Sequence, residues 1–294
     1  MYTIKSKAIK VFVTGLKGLK TVQGLRIKTN KITVIIGKDT NVKNDFSDEI
    51  EAYCKQENIK YYFSTKDADK HEFGLAIAAG WQRMIFDIPF SALIVFHDSL
   101  LPRYRGFNPL VTALLNKDDC VGVTALMAAD KYDRGDILSQ VKVPVEYPIT
   151  IEDAIIMVSD AYFNIAGEIY DLFISGQLHG KPQDESLATY SLWRDSDDYA
   201  INWNLDSHAI ERHVNSVGYP YLGASSFVDG ALVRIRKVAL VNDVFIENRV
   251  PGKIIFFEKN MPVVVCGQGL LRLESIEDDN RNVFEINKLR TRLK

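Results

Sequence analysis

The chain has 294 residues, 47% of them hydrophobic and 25% charged, a balance that permits a large core and excludes fibrous, low-complexity or disordered organisation. A formal net charge of -2 supplies no general field that would draw the protein onto a phosphate backbone, so a nucleic-acid partner is not expected. The three cysteines, Cys54, Cys120 and Cys266, share no C-x-x-C or zinc-type spacing, which argues against a metal knuckle or a disulfide framework.

Residues 9–13 read as a first strand. This run is interrupted by Lys10 and is too short for a signal-peptide core, and no apolar stretch approaches the roughly 18 residues of a membrane span, so the cytoplasm is the expected location. Residues 31–37 read as a second strand, with Gly15, Gly18 and helix-compatible sequence between the two. Helical spacing follows over 48–58, then compact apolar runs at 75–79 and 92–96. A helix is expected over 109–116, a strand over 121–128 and a long helix from Ile151 to a terminating Gly176. Short apolar strands alternating with helices imply an α/β domain built on a mostly parallel sheet.

The polar, turn-rich run 177–186 has linker composition, which places the domain boundary there: 1–182 for the first domain and 183–294 for the second. Beyond it, one helix at 207–216 precedes short β-like runs at 224–228, 232–241, 252–257, 261–265 and 270–275, the spacing of a small barrel.

Chemistry-bearing residues gather in two places. The apolar run 92–96 ends in His97 and continues as Asp98-Ser99-Leu100-Leu101-Pro102-Arg103-Tyr104-Arg105-Gly106, which puts a titratable ring at a strand's carboxyl end, where α/β sheets bind ligands. The second strand-to-loop passage runs from 121–128 into Asp130-Lys131-Tyr132-Asp133-Arg134-Gly135-Asp136. Either residue alone reads as ordinary loop chemistry, a histidine anchoring a turn or an aspartate forming one. His208 and His213 lack the i, i+4 spacing of a helical metal pair and no H-E-x-x-H occurs, so no metal is expected.

Taken together, S-L-L-P-x-Y-R-G-x-x-P after His97 and D-x-G-D-I beginning at Asp133 resemble the folate-dependent formyltransferase family, which includes methionyl-tRNA formyltransferase and the nucleotide-sugar formyltransferases. Ile201-Asn202-Trp203, the run 209–214, Pro220-Tyr221-Leu222-Gly223-Ala224 and the run 263–273 are similar to the family's C-terminal domain. The resemblance implies a Rossmann-like formyltransferase domain and a smaller C-terminal β-rich OB-like domain, with 10-formyltetrahydrofolate as co-substrate and a homodimer as the assembly. It also implies His97 and Asp133 as the catalytic pair, Met84, Ile85 and Phe86 as the segment that meets the pterin, and Ala129, Asp130, Lys131, Tyr132 and Asp133 as a second folate loop. Trp81, Arg103, Arg105 and Asn108 are candidates for substrate contact.

Two positions depart from the family: Asn215 stands where an arginine is common in the helix before the P-Y-x-G-A turn, and the second lies beside the candidate histidine. An asparagine usually stands two residues before the histidine, on the same side of the strand, and here that position is Val95. Loss of an oxyanion donor typically raises a barrier by about 3 kcal/mol. The substitutes on offer are protonated His97, a backbone N–H of the 99–101 loop, or Asn108. The near-neutral charge and the mixed lysines and acids of 38–51 favour a nucleotide-linked amino sugar over methionyl-tRNA as acceptor. Val95 also motivates a third reading, a folate- or nucleotide-binding protein without turnover.

Overall fold

The computed structural model describes residues 6–68 and 72–294. The contacts divide the chain into two compact units, the first comprising residues up to 113 with 119–145 and 153–193, the second 114–118, 146–152 and 194–294. Residues 183–193, beyond the boundary expected from composition, belong to the first unit.

In the first unit, β1 (Ile9–Val13) leads through α1 (Gly15–Lys28) to β2 (Ile32–Ile36), and α2 (Ser47–Gln56) to β3 (Lys60–Tyr62). Then come β4 (Leu75–Ala79), β5 (Leu93–His97), the two-residue β6 (Arg105–Gly106), α3 (Pro109–Leu115), β7 (Cys120–Met127), β8 (Ile137–Pro144), α4 (Ile151–Ile174) and the two-residue β9 (Tyr190–Ser191). Seven strands form one sheet in the order β3-β2-β1-β4-β5-β7-β8. The first five run parallel, whereas β7 is antiparallel to both β5 and β8. The expected parallel sheet is thus extended by an antiparallel pair. β8 went unread because its Ile-Leu-Ser-Gln-Val-Lys-Val-Pro run is an edge strand with no fully buried residue.

The central strands are continuous apolar runs because both sheet faces are covered. On one face, Phe96 of β5 meets Tyr162 of α4 edge to face, with ring centroids 5.6 Å apart. Next to α4 lies α1, and a β-carbon on Gly24 of α1 would stand 2.2 Å from the Phe163 carbonyl oxygen. The ion pairs Lys20–Asp160 and Lys28–Asp171 run along the exposed edge of this helix pair, where their worth is small. On the opposite face, Phe12, Ile35, Ala76, Ala78 and Leu93 are covered by Ile88, Ile85 and Trp81 of an irregular segment, and Val95 joins that cluster. Strand alternation puts His97 on this second face, one step beyond Val95.

The α-helix lying wholly in the second unit is α5 (Ser207–Ser216), capped where Asp206 accepts a 2.9 Å hydrogen bond from the Ala209 N–H. Strands β10 (Ala224–Val228), β11 (Ala231–Val241), β12 (Ile254–Glu258), β13 (Met261–Val265) and β14 (Leu270–Asp278) form an antiparallel sheet in the order β10-β11-β14-β13-β12. Both outer strands are capped by the last residues of the chain. Phe227 and Lys294 exchange backbone hydrogen bonds of 2.9 and 3.0 Å, Leu293 N–H donates to Gly252 at 2.8 Å, and Ile254 N–H donates to Thr291 at 3.2 Å. The sheet therefore curls toward a barrel with its edges satisfied. No described helix is long and apolar enough to cross a membrane.

The Gly24 contact gives a direct test of the helix packing. Gly24→Ala should lower unfolding free energy by about 1–3 kcal/mol in urea titration, because the added methyl must push α1 away from α4.

Candidate active site

The site starts where β5 ends. Leu93, Ile94 and Phe96 are buried, which fixes the strand between β4 and β7 and carries His97 to its carboxyl end, opposite Thr124. Thr124 is fully buried and ties down the following loop: its hydroxyl donates to Ser99 O at 2.6 Å and accepts from Leu101 N–H at 3.1 Å. Gln140 of β8 adds donor bonds of 2.9 Å to both Thr124 Oγ1 and Leu101 O. The Leu101 N–H is thereby committed to the fold, which removes one of the backbone donors considered for an oxyanion.

The loop turns back at Tyr104, which has φ 59° and whose carbonyl lies 2.8 Å from His97 Nε2. A carbonyl only accepts, so Nε2 carries the proton and Nδ1 of the neutral ring is left as the acceptor. Nδ1 faces Asp133 Oδ1 at 3.5 Å, beyond the length of an ordinary N–H···O bond. The other carboxylate oxygen of Asp133 accepts the Gly106 N–H at 2.8 Å. His97 is 8% exposed, so the ring and carboxylate meet in a largely dehydrated place, where their mutual influence is stronger than in water.

Two glycines permit this approach. Gly106 has φ 101°, and a β-carbon there would stand 2.6 Å from Ser191 O. A β-carbon on Gly135 would stand 1.7 Å from Met127 O, so the G of D-x-G-D allows the Asp133 loop to fold against the end of β7. Asp133 itself has φ 56°, a left-handed conformation that a non-glycine residue adopts only when neighbours hold it.

Asp98, next in sequence to His97, is engaged on the helical face. It pairs with Lys17 of α1 and accepts from the Tyr162 hydroxyl, which also reaches Phe96 O at 3.2 Å. Burial pushes the Asp98 carboxyl up, but the charge and hydrogen bond of Lys17, with Tyr162 and His97, outweigh it and hold the carboxyl below its ordinary range. Burial, reinforced by Asp98, pushes the Tyr162 hydroxyl well up.

The residues expected to touch ligands fall in different settings. Met84 and Phe86 are 41% and 82% exposed, whereas Ile85 packs into the apolar cluster beside Val95. Ala129 is half-buried, Asp130 and Lys131 are exposed, and Tyr132 is exposed with its ring 6.3 Å from that of Phe107. Trp81 stacks edge to face on Phe12 at 5.4 Å, and its Nε1 is buried without a hydrogen-bond partner among the described residues. Arg103 lies over the Tyr104 ring and donates to its hydroxyl at 2.7 Å. Asn108, half-buried with φ 48°, sits two residues after the Gly106 that holds Asp133.

Arg105 is different, because it points inward. Its guanidinium is fully buried, forked onto Glu185 at 2.8 and 2.9 Å and onto Gln183 Oε1 at 2.7 and 3.1 Å. Sequence reading missed Gln183, Glu185 and Thr189, whose hydroxyl accepts the Tyr104 N–H at 2.9 Å. All three lie in or just after the run whose polar composition reads as linker. Among the described residues no cluster of histidine, cysteine and carboxylate side chains has the makings of a metal site.

Residues 30–161 match the family described as Formyl transferase, and residues 195–292 match Formyl transferase, C-terminal domain. The methionyl-tRNA formyltransferase of Geobacter sulfurreducens is 28% identical over 197 residues, a match that spans 67% of this chain and 61% of that relative's length. The methionyl-tRNA formyltransferase of Thermodesulfovibrio yellowstonii is 32% identical over 215 residues, 72% of this chain and 68% of the relative. Among solved structures, the N-formyltransferase from Helicobacter canadensis, in complex with folinic acid and dTDP-3-aminofucose, superposes with a TM-score of 0.65 at 16% identity, covering 91% of this chain and 98% of the other.

Two substitutions test the supports of the site. Arg105→Lys, which keeps the charge but loses the fork, should cost about 1–3 kcal/mol of stability in urea titration without a selective rise in acceptor KM; a selective rise would mark a binding residue instead. Lys17→Met removes the strongest opponent of burial at Asp98 and leaves the Tyr162 hydroxyl as its hydrogen-bond donor. In the wild type the lowered carboxyl contributes stability above about pH 4 that is lost as pH falls through its folded value. In the variant the sign reverses: a loss of about 3–5 kcal/mol at pH 7 should shrink as pH falls and Asp98 takes up a proton.

Proposed function

The chain belongs to the formyl transferase family, and we propose that it moves a formyl group from 10-formyltetrahydrofolate to the amine of a nucleotide-linked amino sugar. The observation that carries the chemistry is the enclosed His97–Asp133 pair, held at the carboxyl end of the sheet by two separate loops. The folate's pterin finds suitable surroundings: the apolar side chains of Met84 and Phe86 stand exposed, and the buried Trp81 Nε1–H is a donor without a partner among the described residues. Bound there, the folate supplies an activated formyl carbon.

The chain's own part is to move a proton and to stabilise charge. His97 Nδ1, the unprotonated ring nitrogen, takes the proton that the attacking amine must lose. The resulting imidazolium faces Asp133 across the 3.5 Å contact, while Tyr104 O keeps the ring in its plane. The proton is then available for the departing nitrogen. Val95 donates nothing to the oxyanion, and with Leu101 N–H engaged, Asn108 and the protonated His97 are the remaining side-chain donors of those considered.

For the acceptor, the net charge of -2 and the character of residues 38–51 support a small anionic substrate over tRNA. In that segment Asp45 accepts from Asp39 N–H and Ser47 N–H, and Lys38 lies over the Phe63 ring. The second reading, methionyl-tRNA, is favoured by the names of the relatives matched in sequence.

Mass spectrometry of acceptors incubated with protein and 10-formyltetrahydrofolate separates the two. A formylated nucleotide amino sugar should appear and fall about 10³-fold in rate with His97→Ala. Product on methionyl-tRNA alone, with affinity dropping about 10³-fold or more between 50 and 200 mM salt, would replace the sugar by tRNA. Folate binding without any formylated acceptor would favour the binding-protein reading.

A further inference from the structure

Gln183 joins the two loops that carry the catalytic pair. Its Nε2 donates to Asp133 O at 2.7 Å and to Gly135 O at 2.8 Å, and its Oε1 accepts from Arg105 Nε at 3.1 Å and Nη2 at 2.7 Å. The guanidinium has no acceptor and the carbonyls have no donor, so the orientation of the amide is fixed from both sides. Arg105 lies between Tyr104, whose carbonyl holds His97 Nε2, and Gly106, whose N–H holds Asp133 Oδ2. The contacts close a ring: His97 to Tyr104 O, along the backbone to Arg105, through Gln183 to Asp133, and from Asp133 Oδ1 back to His97 Nδ1.

Besides Gln183, the Asp133 loop is tied to this ring by the Gly106 N–H on Asp133 Oδ2 and, at the exposed edge, through Arg134, which reaches Glu185 at 3.4 Å and the Tyr190 hydroxyl at 2.6 Å. Asp133 is also left-handed at φ 56°, and Gln183 grips the carbonyls of Asp133 and Gly135 on either side of the Asp133–Gly135 turn. We propose that Gln183 is a positioning residue for formyl transfer, setting the reach of Asp133 toward His97 by donating two hydrogen bonds to the Asp133 loop. This rests on the catalytic role proposed above for the pair.

Gln183→Glu isolates the donor role. The carboxylate keeps the side-chain length and an ion pair with Arg105, but presents oxygen to two carbonyls. We expect kcat to fall about 30-fold with KM for 10-formyltetrahydrofolate within about twofold, since the interaction serves the transition state rather than binding. In an Asp133→Asn background the same change should alter kcat by less than about threefold, because the two residues act as one unit. Equal losses in both backgrounds would show a merely structural effect and overturn the proposal, as would an unchanged kcat.

Should the glutamate variant fail to fold, Gln183→Met, neutral and of matched length, enters the same cycle. An arm independent of turnover records the His97 ring nitrogen signals by two-bond ¹H–¹⁵N correlation. In Gln183→Glu they should move toward their positions in Asp133→Asn; signals that stay at wild-type positions would overturn the positioning role. A wild-type protein that formylates no acceptor would defeat the proposed function, and the nitrogen signals would still decide the role of Gln183.

Discussion

The site depends on one encounter, a histidine and a carboxylate that arrive from different strand ends and meet at 3.5 Å in a nearly dry setting. A carboxylate removed from water is costly unless its oxygens find partners, and an imidazole ring can move protons in a defined direction only if its two nitrogens are told apart. Both conditions are met by backbone groups. Gly106 N–H receives one oxygen of Asp133, and Tyr104 O fixes the proton on one nitrogen of His97. The loop between those two groups is short, so its conformation sets both contacts together.

Much of the surrounding structure holds that loop. Thr124 and Gln140 secure its start, Thr189 and Ser191 approach its turn, and Arg105 anchors its end in the interior through Gln183 and Glu185. On the other side of the strand, Asp98 is gripped by Lys17 and Tyr162, which fixes the backbone next to His97 from the helical face. The cost of dehydrating Asp98 is offset there by a charge and a hydroxyl. The two carboxylates near His97 therefore have separate work: Asp98 is spent on structure, and Asp133 keeps one oxygen facing the ring.

Some of this was legible in the sequence because it depends on local pattern. Apolar runs marked β1, β2, β4 and β5, and the paired motifs at His97 and Asp133 pointed to the family. What was hidden depends on pairing across long separations. The antiparallel turn of the sheet at β7 is a matter of register, which no local run reveals. β8 alternates weakly because it is an edge, and with it Gln140 was lost. Arg105 resembles any loop arginine until its partners are known, and those partners sit in a polar run with the composition of a linker. Gln183 carries no local signal at all: its importance arises only when two carbonyls from a distant loop come within reach.

In the function proposed for this chain, the His97–Asp133 encounter performs formyl transfer. Single-turnover reactions with ¹³C-formyl-labelled 10-formyltetrahydrofolate and a nucleotide-linked amino sugar, followed by ¹³C NMR, test it most directly when wild type is compared with Asp133→Asn at saturating donor. A labelled formamide on the sugar amine is expected, formed about 10²-fold or more slowly by the variant although the donor still binds. Transfer by Asp133→Asn at the wild-type rate would contradict it.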